Sequence, residues 1–555
     1  MRFLKSLGFL VVFSTLMFAQ AVSSNVASAP GSSTVADQLK QLQDAMAAQQ
    51  KQIAIQQQEI EALRGQLATR GEARVVDAAM HTVEPADTMA TAVAVGQSSS
   101  MPEAEEKAKS SPLSFRIGEA EFTPGGFVDF TTVFRTTNTG SVVGTNFNTV
   151  PFNNQIQGAL TEFRMSAQHS RLSMKVNTKY GENNIAGYIE ADFNGNDAAN
   201  VFVSANSHTN RLRLYWLDLK RGKWEILGGQ SWSLLTPNRI GISPDPGDVF
   251  STRNMDTNYQ VGLAWARQAG FRLGYHPDDH WALALGVENP QQYVGVGEVN
   301  FPFQFNAALG IQFDAANNAG APNLHPDIIP KITYDNNFGG GRHFHGEVAG
   351  LLTSVKATDV ALTSPTSGKF VTHSTTGGGG SAGINVDLFK QFKFVGNAFY
   401  SYGGGRYLFG LGPQAVIRPV ASTIVPGTFD INTSLVHAGG TVMGFEAPVS
   451  NSITLAGYYG GAYFQRNTFP DITSPLLVKP FIGFGGRNSP NTANRALQEG
   501  TFDWIQTFFK NPQYGSLQLI MQYSYLTRAP WFVPVGAPKN AHLSMAYVNL
   551  RYVLP

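Results

Sequence analysis

The charged residues that could do chemistry in this chain occur in short segments where polar and apolar residues alternate. Arg211 and Arg213 are separated by one residue, as are Glu190 and Asp192 in the segment before them. Successive side chains of a β-strand point to opposite sides, so each pair shares one face. The face opposite the two arginines then carries Leu212, Leu214 and Trp216. Guanidinium groups bind carboxylates bidentately, so this pattern predicts recognition of anions.

Arg164 and Lys175 extend this charged ladder on the segment from 162 to 180. The alternation of that segment changes phase near Ser170, which predicts a β-bulge and leaves the face of Arg171 open. With Glu190 and Asp192 nearby, the ladder would have a positive wall beside acidic groups. The alternative is that these charges only pair with one another and stiffen the wall.

Sequence patterns typical of enzymes and metal sites are not met. Residues 229–233 read Gly-Gln-Ser-Trp-Ser, which is not the Gly-x-Ser-x-Gly elbow of hydrolases. Gly368-Lys369 lacks the preceding glycine that a phosphate-binding loop requires. With no cysteine in the chain, thiolate chemistry is excluded. His343 with His345, and His276 with His280, form pairs without an evident carboxylate partner. We therefore predict no catalytic residue, no metal and no cofactor.

The composition indicates which kind of fold positions these residues. Charged residues make up 14% and hydrophobic residues 43%, while the chain has 57 glycines and 11% aromatic residues. A soluble domain has roughly 25% charged residues, and a helical membrane protein has several apolar runs of about 20 residues. The chain has only one long apolar run, at its N-terminus, so the composition favours a transmembrane β-barrel. The net charge of +1 argues against nucleic acid as a partner.

Sixteen segments with a period of two follow from about residue 122 to the end of the chain. Connections that are alternately short and long separate them, which is typical of an up-and-down bacterial barrel with tight periplasmic turns and long extracellular loops. Sixteen strands are too many for side chains to fill the interior, so a water-filled channel is expected. Tyr402, Tyr458 and Tyr463 fit an outward aromatic girdle. The segments are 122–135, 162–180, 184–196, 210–219, 224–235, 259–276, 280–289, 327–335, 342–355, 377–389, 392–405, 434–446, 451–465, 497–509, 514–528 and 540–554.

The first 112 residues predict three further parts. Residues 1–21 have the basic start, apolar stretch and small-residue site of a signal peptide, the alternative being a membrane helix. Within 22–68, apolar residues recur by steps of three and four from Val35 to Leu67, the heptad of a coiled coil, with a single amphipathic helix as the alternative. Residues 69–112 are predicted to be a flexible linker, and 113–555 to be the barrel.

The third long connection, from Thr236 to Asn258, contains both signs of charge and three prolines. We expect it to fold into the barrel and narrow it, although Pro-Asp-Pro-Gly within it is also an ordinary turn sequence. Its charged candidates are Asp245, Asp248, Arg253 and Asp256. The residues predicted to line the pore or bind solute are Arg164, Lys175, Glu190, Asp192, Arg211, Arg213, Asp245, Asp248 and Arg253.

Several short motifs occur in an order that resembles the DcaP-like trimeric outer-membrane porins. They are Ser170-Arg171-Leu172, 189–193, 229–233, Pro326-Asp327-Ile328 and Leu550-Arg551-Tyr552. The resemblance implies a trimeric 16-stranded diffusion channel with an N-terminal periplasmic coiled coil and a preference for small anionic solutes, notably dicarboxylates. The chain departs from such barrels at its end, which reads Val-Leu-Pro rather than closing on an aromatic residue.

These observations predict an all-β outer-membrane protein, a 16-stranded antiparallel barrel preceded by a coiled coil. The expected function is passive diffusion of small hydrophilic, anionic, dicarboxylate-like solutes. The expected partners are two further copies of the chain in a homotrimer, outer-membrane lipid and lipopolysaccharide, and these solutes. Two alternatives stay open: a structural protein whose coiled coil tethers the membrane to peptidoglycan in the cell wall, and a barrel enzyme such as a lipase or protease.

Overall fold

The computed structural model describes residues 111–195, 209–290, 298–313, 323–389, 392–409 and 412–555. The predicted signal peptide and coiled coil, and all but the end of the predicted linker, lie outside these residues. No helix in the described ranges is long and apolar enough to cross a membrane.

Sixteen antiparallel strands form one closed barrel. Each strand pairs with its neighbours along the chain, and the last strand closes the ring by pairing with the first, from Phe127 opposite Val553 to Arg135 opposite Met545. The predicted number of strands is confirmed. The strands are β1 Ala120–Arg135, β2 Glu162–Ser166 continued as Arg171–Tyr180, β3 Asn183–Asp192, β4 Arg211–Arg221, β5 Trp224–Trp232, β6 Arg267–Tyr275, β7 Trp281–Glu288, β8 Asp327–Phe338, β9 Arg342–Ser364, β10 Ser367–Phe389, β11 Phe392–Tyr402, β12 His437–Pro448, β13 Ile453–Phe464, β14 Asn494–Asn511, β15 Gly515–Pro530 and β16 Ala541–Val553.

The outer face of the barrel is apolar and exposed. Along β7, Trp281, Leu283, Leu285 and Val287 are exposed and alternate with buried residues. Along β15, Met521, Tyr523 and Tyr525 are exposed while Gln522 and Ser524 are buried, as the alternation predicts. A continuous belt of large exposed apolar side chains is the surface that a lipid bilayer covers.

Bulges change the alternation at two places next to the charged ladder. The two parts of β2 are separated by residues 167–170, which confirms the bulge predicted near Ser170. A second register shift lies between Glu190 and Ala191, which pair with Leu214 and Leu212 and so leave Arg213 as the extra residue. Leu214 and Trp216 are consequently buried inside. The prediction that both face outward is wrong, because a bulge reverses every side chain beyond it.

Three strand boundaries differ from the prediction by eight or more residues. The strand predicted from 259 to 276 begins only at Arg267, because Tyr259 and Gly262 have positive φ angles of 64° and 89° that interrupt an extended chain. The connection expected between 355 and 377 is instead strand: β9 and β10 pair as far as Leu362 opposite Gly368. They extend past their barrel neighbours as a long hairpin.

Short turns lie at one end of the barrel. The other end has the long connections, except that β9 and β10 are joined there by the two residues 365–366. The long ones used below are loop 1 (136–161), loop 3 (233–266), loop 4 (289–326), loop 6 (403–436) and loop 7 (465–493). Loops 4 and 7 share a small sheet in which Val299 pairs with Phe484. Phe147, Val299 and Phe484 are buried in one apolar cluster, so loops 1, 4 and 7 pack together at this end. Further elements of the described chain are the strands Phe115–Ile117, Val299–Asn300, Ala415–Ala421, Phe429–Leu435, Asn467–Pro470 and Phe481–Phe484, and the helices Ile156–Ala159 and Asn306–Phe313.

Candidate functional site

Loop 3 lies inside the barrel. It contacts inward-facing side chains of strands around the ring: Asp245 bonds Lys175 on β2 at 2.6 Å, and the backbone N–H of Gly241 donates to Asp335 on β8 at 3.0 Å. Asp256 accepts a hydrogen bond from the hydroxyl of Tyr547 on β16 at 3.0 Å. A loop that reaches strands 2, 8 and 16 must cross the interior, and the loop therefore occupies part of the lumen.

Glu446 on β12 anchors the middle of loop 3. Its carboxylate accepts hydrogen bonds from Arg239 at 2.7 Å, Arg253 at 2.9 Å and the hydroxyl of Tyr458 at 2.8 Å. Tyr458 was predicted to belong to the outward girdle, and that prediction is wrong. Tyr458 and Tyr459 are consecutive in β13, so only one of them can face outward, and it is Tyr459.

A second anchor, on β8 and β9, holds the start of the loop. Glu347 accepts hydrogen bonds from the backbone N–H of Asn238 at 2.9 Å and lies 2.8 Å from Lys331. His345 lies between Asp335 at 2.8 Å and Glu347 at 3.1 Å. These carboxylates are the partners that the sequence did not reveal for the histidine pair. Among the described residues, no group of three or more histidine and acidic side chains has an arrangement for holding a metal ion.

Glycine permits the last part of the loop to approach the wall. A Cβ atom on Gly262 would lie 2.4 Å from the carbonyl oxygens of both Gly461 and Thr441, so any other residue would push the loop inward. Next to it, the backbone N–H of Val261 donates to Glu499 at 3.0 Å. The loop is thus fixed against β12, β13 and β14 as well as β8 and β9.

Loop 6 also enters the barrel, a position that was not predicted from its sequence. The N–H of Trp265 donates to the carbonyl of Tyr407 at 2.9 Å, and the ring of Phe409 stacks on Trp265 with centroids 5.1 Å apart. The hydroxyl of Tyr407 donates to Asp327 on β8 at 2.7 Å, and Arg406 bonds the same carboxylate. Three glycines in succession, 403–405, are the sequence signal that could have indicated this tight fold.

The predicted ladder of arginines and acids on β3 and β4 is formed. Arg211 binds Asp192 through two nitrogens, at 3.0 and 2.7 Å. Arg213 bridges Glu190 and Asp192, both at 2.7 Å. The side chain of Arg213 is 3% exposed and that of Arg211 is 37% exposed. Arg213 is therefore a buried member of the wall, whereas Arg211 still faces open space.

Three arginines that were not among the predicted site residues join this wall. Arg171 lies 3.6 Å from Glu190, and Arg551 on β16 binds Asp129 on β1 at 2.7 Å. Arg267, at the start of β6, lies over the indole rings of Trp232 and Trp265, 5.6 Å from each centroid. Its Nη1 atom is buried without a hydrogen-bond partner. We call these five arginines the arginine wall: Arg171, Arg211, Arg213, Arg267 and Arg551. Among the described residues, three carboxylates pair with them, Asp129, Glu190 and Asp192, so this part of the chain has two more positive than negative charges in the wall.

The other predicted residues lie elsewhere in the lumen. Arg164 contacts Glu162 at 3.4 Å, beside the buried pair of Glu162 and Arg135. Lys175 and Asp245 line a cavity of about 520 Å³ near the short turns, together with Asp218 and Lys220. Burial raises the pKa of Asp248 in loop 3, partly offset by a hydrogen bond from Ser243. Arg253 donates a hydrogen bond to Glu446 and so takes part in the anchor of loop 3. The structure thus brings together Glu190, Asp192, Arg211 and Arg213, and separately pairs Lys175 with Asp245 in loop 3, whereas Arg164 and Arg253 lie apart from both groups.

Sequence comparison finds no relative: no protein-family profile and no curated protein matches the chain. Structural comparison finds many. The outer membrane channel DcaP of Acinetobacter baumannii is similar at 15% identity, covering 79% of this chain and 99% of that one with a TM-score of 0.52. Weaker similarities include the anion-selective porin from Comamonas acidovorans, at 9% identity, 78% and 100% coverage and a TM-score of 0.43. Salmonella typhi OmpF, in complex with daunomycin, has 10% identity, 79% and 99% coverage and a TM-score of 0.41.

The likeness to DcaP extends over nearly all of that protein and over the barrel of this one. At this level of identity the comparison establishes the fold, and the residues of the lumen must be interpreted from their own geometry. The chain therefore has the fold of the DcaP outer-membrane channel, a closed 16-stranded antiparallel barrel.

Proposed function

We propose that the protein is an outer-membrane porin through which small hydrophilic, anionic, dicarboxylate-like solutes diffuse passively. The observation that supports an anionic solute most directly is the state of Arg267. Its guanidinium group lies over two indole rings, has no carboxylate partner among the described residues, and has a buried N–H group with no acceptor. A carboxylate is the complementary partner of such a group.

The arrangement of the wall supports passage rather than permanent binding. Arg211 already pairs with Asp192, so a solute carboxylate would compete with Asp192 for the guanidinium group. Conduction requires a site that attracts the solute but also releases it. The excess of two positive charges supplies attraction, and Glu190 and Asp192 limit its strength. Loop 3 would bring the solute close to this wall by occupying part of the lumen.

The proposed oligomer is a homotrimer with the predicted coiled coil of residues 22–68 in the periplasm. The support for it is the unbroken heptad from Val35 to Leu67, since such a seam is buried only when helices associate. The belt of exposed apolar residues around the barrel supports a wall in contact with membrane lipid.

The test of anion selection is the reversal potential of the purified protein in a planar bilayer under a salt gradient. The double variant Arg211→Gln and Arg267→Gln removes the exposed and the unpartnered guanidinium groups while leaving the buried Arg213 pairs intact. We expect the anion-to-cation permeability ratio to fall about two- to threefold. The difference should diminish at 1 M salt, where the screening length is about 3 Å.

The control is Arg221→Gln. This arginine is exposed at a short turn and pairs with Glu182 at 2.9 Å, so its replacement removes one positive charge outside the lumen, whereas the double variant removes two inside it. An unchanged reversal potential in the double variant at low salt would exclude the arginine wall from ion selection. Absence of stepped conductance, combined with tight binding of the whole protein to peptidoglycan, would instead favour the tethering function.

A further inference from the structure

Two exposed arginines lie over the same tryptophan, on the outer side of the barrel at the end with the long connections. Arg466 follows β13 and Arg495 lies at the start of β14, and their guanidinium carbons are 5.5 and 5.9 Å from the centroid of the Trp531 indole. Trp531 follows β15 and is fixed by a hydrogen bond from its Nε1 to the carbonyl of Phe464 at 2.9 Å. Three neighbouring strands thus end in one cation–aromatic cluster, which we call the rim cluster.

The rim cluster faces away from the lumen. Tyr463 and Tyr459 lie on the outward face of β13, where both are about half exposed, and the ring of Tyr463 is 6.1 Å from that of Trp531. Gly485 of loop 7 packs against the other side, since a Cβ atom there would be 2.6 Å from the indole of Trp531. The arginines are consequently held over an indole that is fixed on the outer wall.

No acidic residue of the described chain forms an ion pair with the rim cluster. None of the ion pairs formed by the described residues includes Arg466 or Arg495. The stretch from 465 to 496 contains four basic residues, Arg466, Lys479, Arg487 and Arg495, against the single acid Asp471. That aspartate is buried and accepts hydrogen bonds from Phe303 and Thr473. Two guanidinium groups over one ring repel each other when no counterion is present. A bound anion would offset this repulsion.

The height of the rim cluster corresponds to the headgroup region of a bilayer. Tyr463 is opposite Ala496 on β14, and exposed phenylalanines occur at Phe508 and Phe509 near the other end of the same strand. At about 3.3 Å per residue and a tilt of about 40°, this separation spans about 30 Å across the membrane, close to the apolar band of outer-membrane barrels. The rim cluster lies at the end with the long connections, which faces outward in such barrels.

We propose that the rim cluster binds a phosphate group of lipopolysaccharide, the phosphorylated glycolipid of the outer leaflet. Two guanidinium groups can each donate bidentate hydrogen bonds to phosphate oxygens. The exposed Tyr463 and the apolar wall below it contact the acyl chains of the same molecule. The lipid would thereby supply the counterion that the chain lacks at this position.

The test measures binding of the full-length, detergent-solubilised protein to three probes: bisphosphorylated lipid A, its dephosphorylated form and inorganic phosphate. The double variant Arg466→Gln and Arg495→Gln should bind bisphosphorylated lipid A at least about fivefold more weakly than the parent. The parent should also prefer bisphosphorylated to dephosphorylated lipid A. Free phosphate should compete only weakly, because it has no acyl chains to contact the wall.

The chain offers a matched control in Arg342→Gln. Arg342 also lies over an aromatic ring, 5.2 Å from the centroid of Phe338, but at the short-turn end of the barrel. Equal losses in the two variants, equal binding of both lipid forms, or free phosphate binding as tightly as lipid A would each overturn the proposal. So would a double variant that loses its trimer while keeping lipid A affinity, because the cluster would then be a subunit contact. Resistance to heat of the folded band on a gel verifies that each variant is folded.

Discussion

At the scale of single residues, two arginines two positions apart have different roles because their surroundings differ. Arg213 is enclosed by Glu190 and Asp192, so its loss would remove the nearest cation of Glu190 and one of the two cations that pair with Asp192. Such a loss typically costs about 3–5 kcal/mol. Arg211 retains an exposed side, so its charge can act on a passing solute. Variants that test ion selectivity should therefore change Arg211 and Arg267, whereas Arg213 stabilises the barrel wall.

A buried acid at the loop end of the barrel predicts a dependence of stability on pH. Glu298 in loop 4 is 1% exposed, accepts a hydrogen bond from Asn148 of loop 1 at 3.1 Å, and has its second oxygen unpartnered. Burial raises the pKa of Glu298 from 4.5 to about 8, and the hydrogen bond from Asn148 only partly offsets this effect. The folded protein thus retains a proton between these values that the unfolded chain releases.

The sign of this effect follows from proton binding. Stability linked to Glu298 is complete below about pH 4.5, falls as the pH rises through the window, and is lost above about pH 8. We expect the melting temperature of the parent to fall from pH 5 to pH 9, and that of Glu298→Gln to fall less. Thermal melts followed by tryptophan fluorescence measure this. A parent protein whose melting temperature does not fall over this range would contradict the assignment, and Glu182→Gln, at an exposed turn, is the control.

At the scale of elements, loop 3 is held by carboxylates on the wall rather than by its own secondary structure. Glu446 receives two arginines of the loop, and Glu347 and Asp335 receive its backbone N–H groups. Gly262 then permits the approach of the last part to β12 and β13. A loop with separate anchors at its start, middle and end has one position in the lumen.

Removing the charge of the central anchor should loosen the loop. In Glu446→Gln the side chain keeps its size, but Arg239 and Arg253 lose their shared counterion, at a cost of about 2–4 kcal/mol. Single-channel recordings should show larger and noisier conductance than the parent, because the loop samples positions away from β12. Asp387→Asn is the control, since this carboxylate pairs with Lys393 at 3.6 Å and does not contact the loop. Parent-like conductance and noise in Glu446→Gln would mean that the remaining anchors suffice.

At the scale of the whole molecule, the barrel has no free sheet edge because β16 pairs with β1. Closure satisfies the backbone hydrogen bonds of every strand, which a wall in lipid requires. The outer face remains apolar, so lipid or another copy of the chain must cover it. The proposed trimer would cover part of it.

Deletion of residues 35–67 separates the contribution of the predicted coiled coil from that of the barrel. We expect the parent to have the mass of a trimer in mild detergent and the deletion variant to have lower resistance to heat and detergent, because the heptad seam contributes buried contacts between copies. Light scattering or native mass spectrometry measures the oligomeric state of both proteins. A trimer in both would assign assembly to the barrel walls, and a monomer in both would refute the trimer.

Local sequence patterns were sufficient to predict the number of strands, the end of the barrel at which each connection lies, and the inward direction of Arg211 and Arg213. These properties follow from local alternation and from turn residues, which act between neighbours in the chain. Even the bulge near Ser170 was visible, because it changes the phase of a pattern within one segment. The bulge at Arg213 also changes the phase, from Arg211 and Arg213 to Asp218 and Lys220, but the apolar residues 214–217 between them conceal where the change occurs.

Which charged side chains form ion pairs, and which stay unpaired, depends on the tertiary structure. Glu446 meets Arg239 and Arg253 across about 200 positions of chain, and Arg551 meets Asp129 through closure of the ring. Arg267 belongs to the arginine wall because Tyr259 and Gly262 end the loop with positive φ angles and deliver β6 beside Trp232. Pairing of charges depends on distances between strands far apart in sequence, and no local pattern encodes those distances.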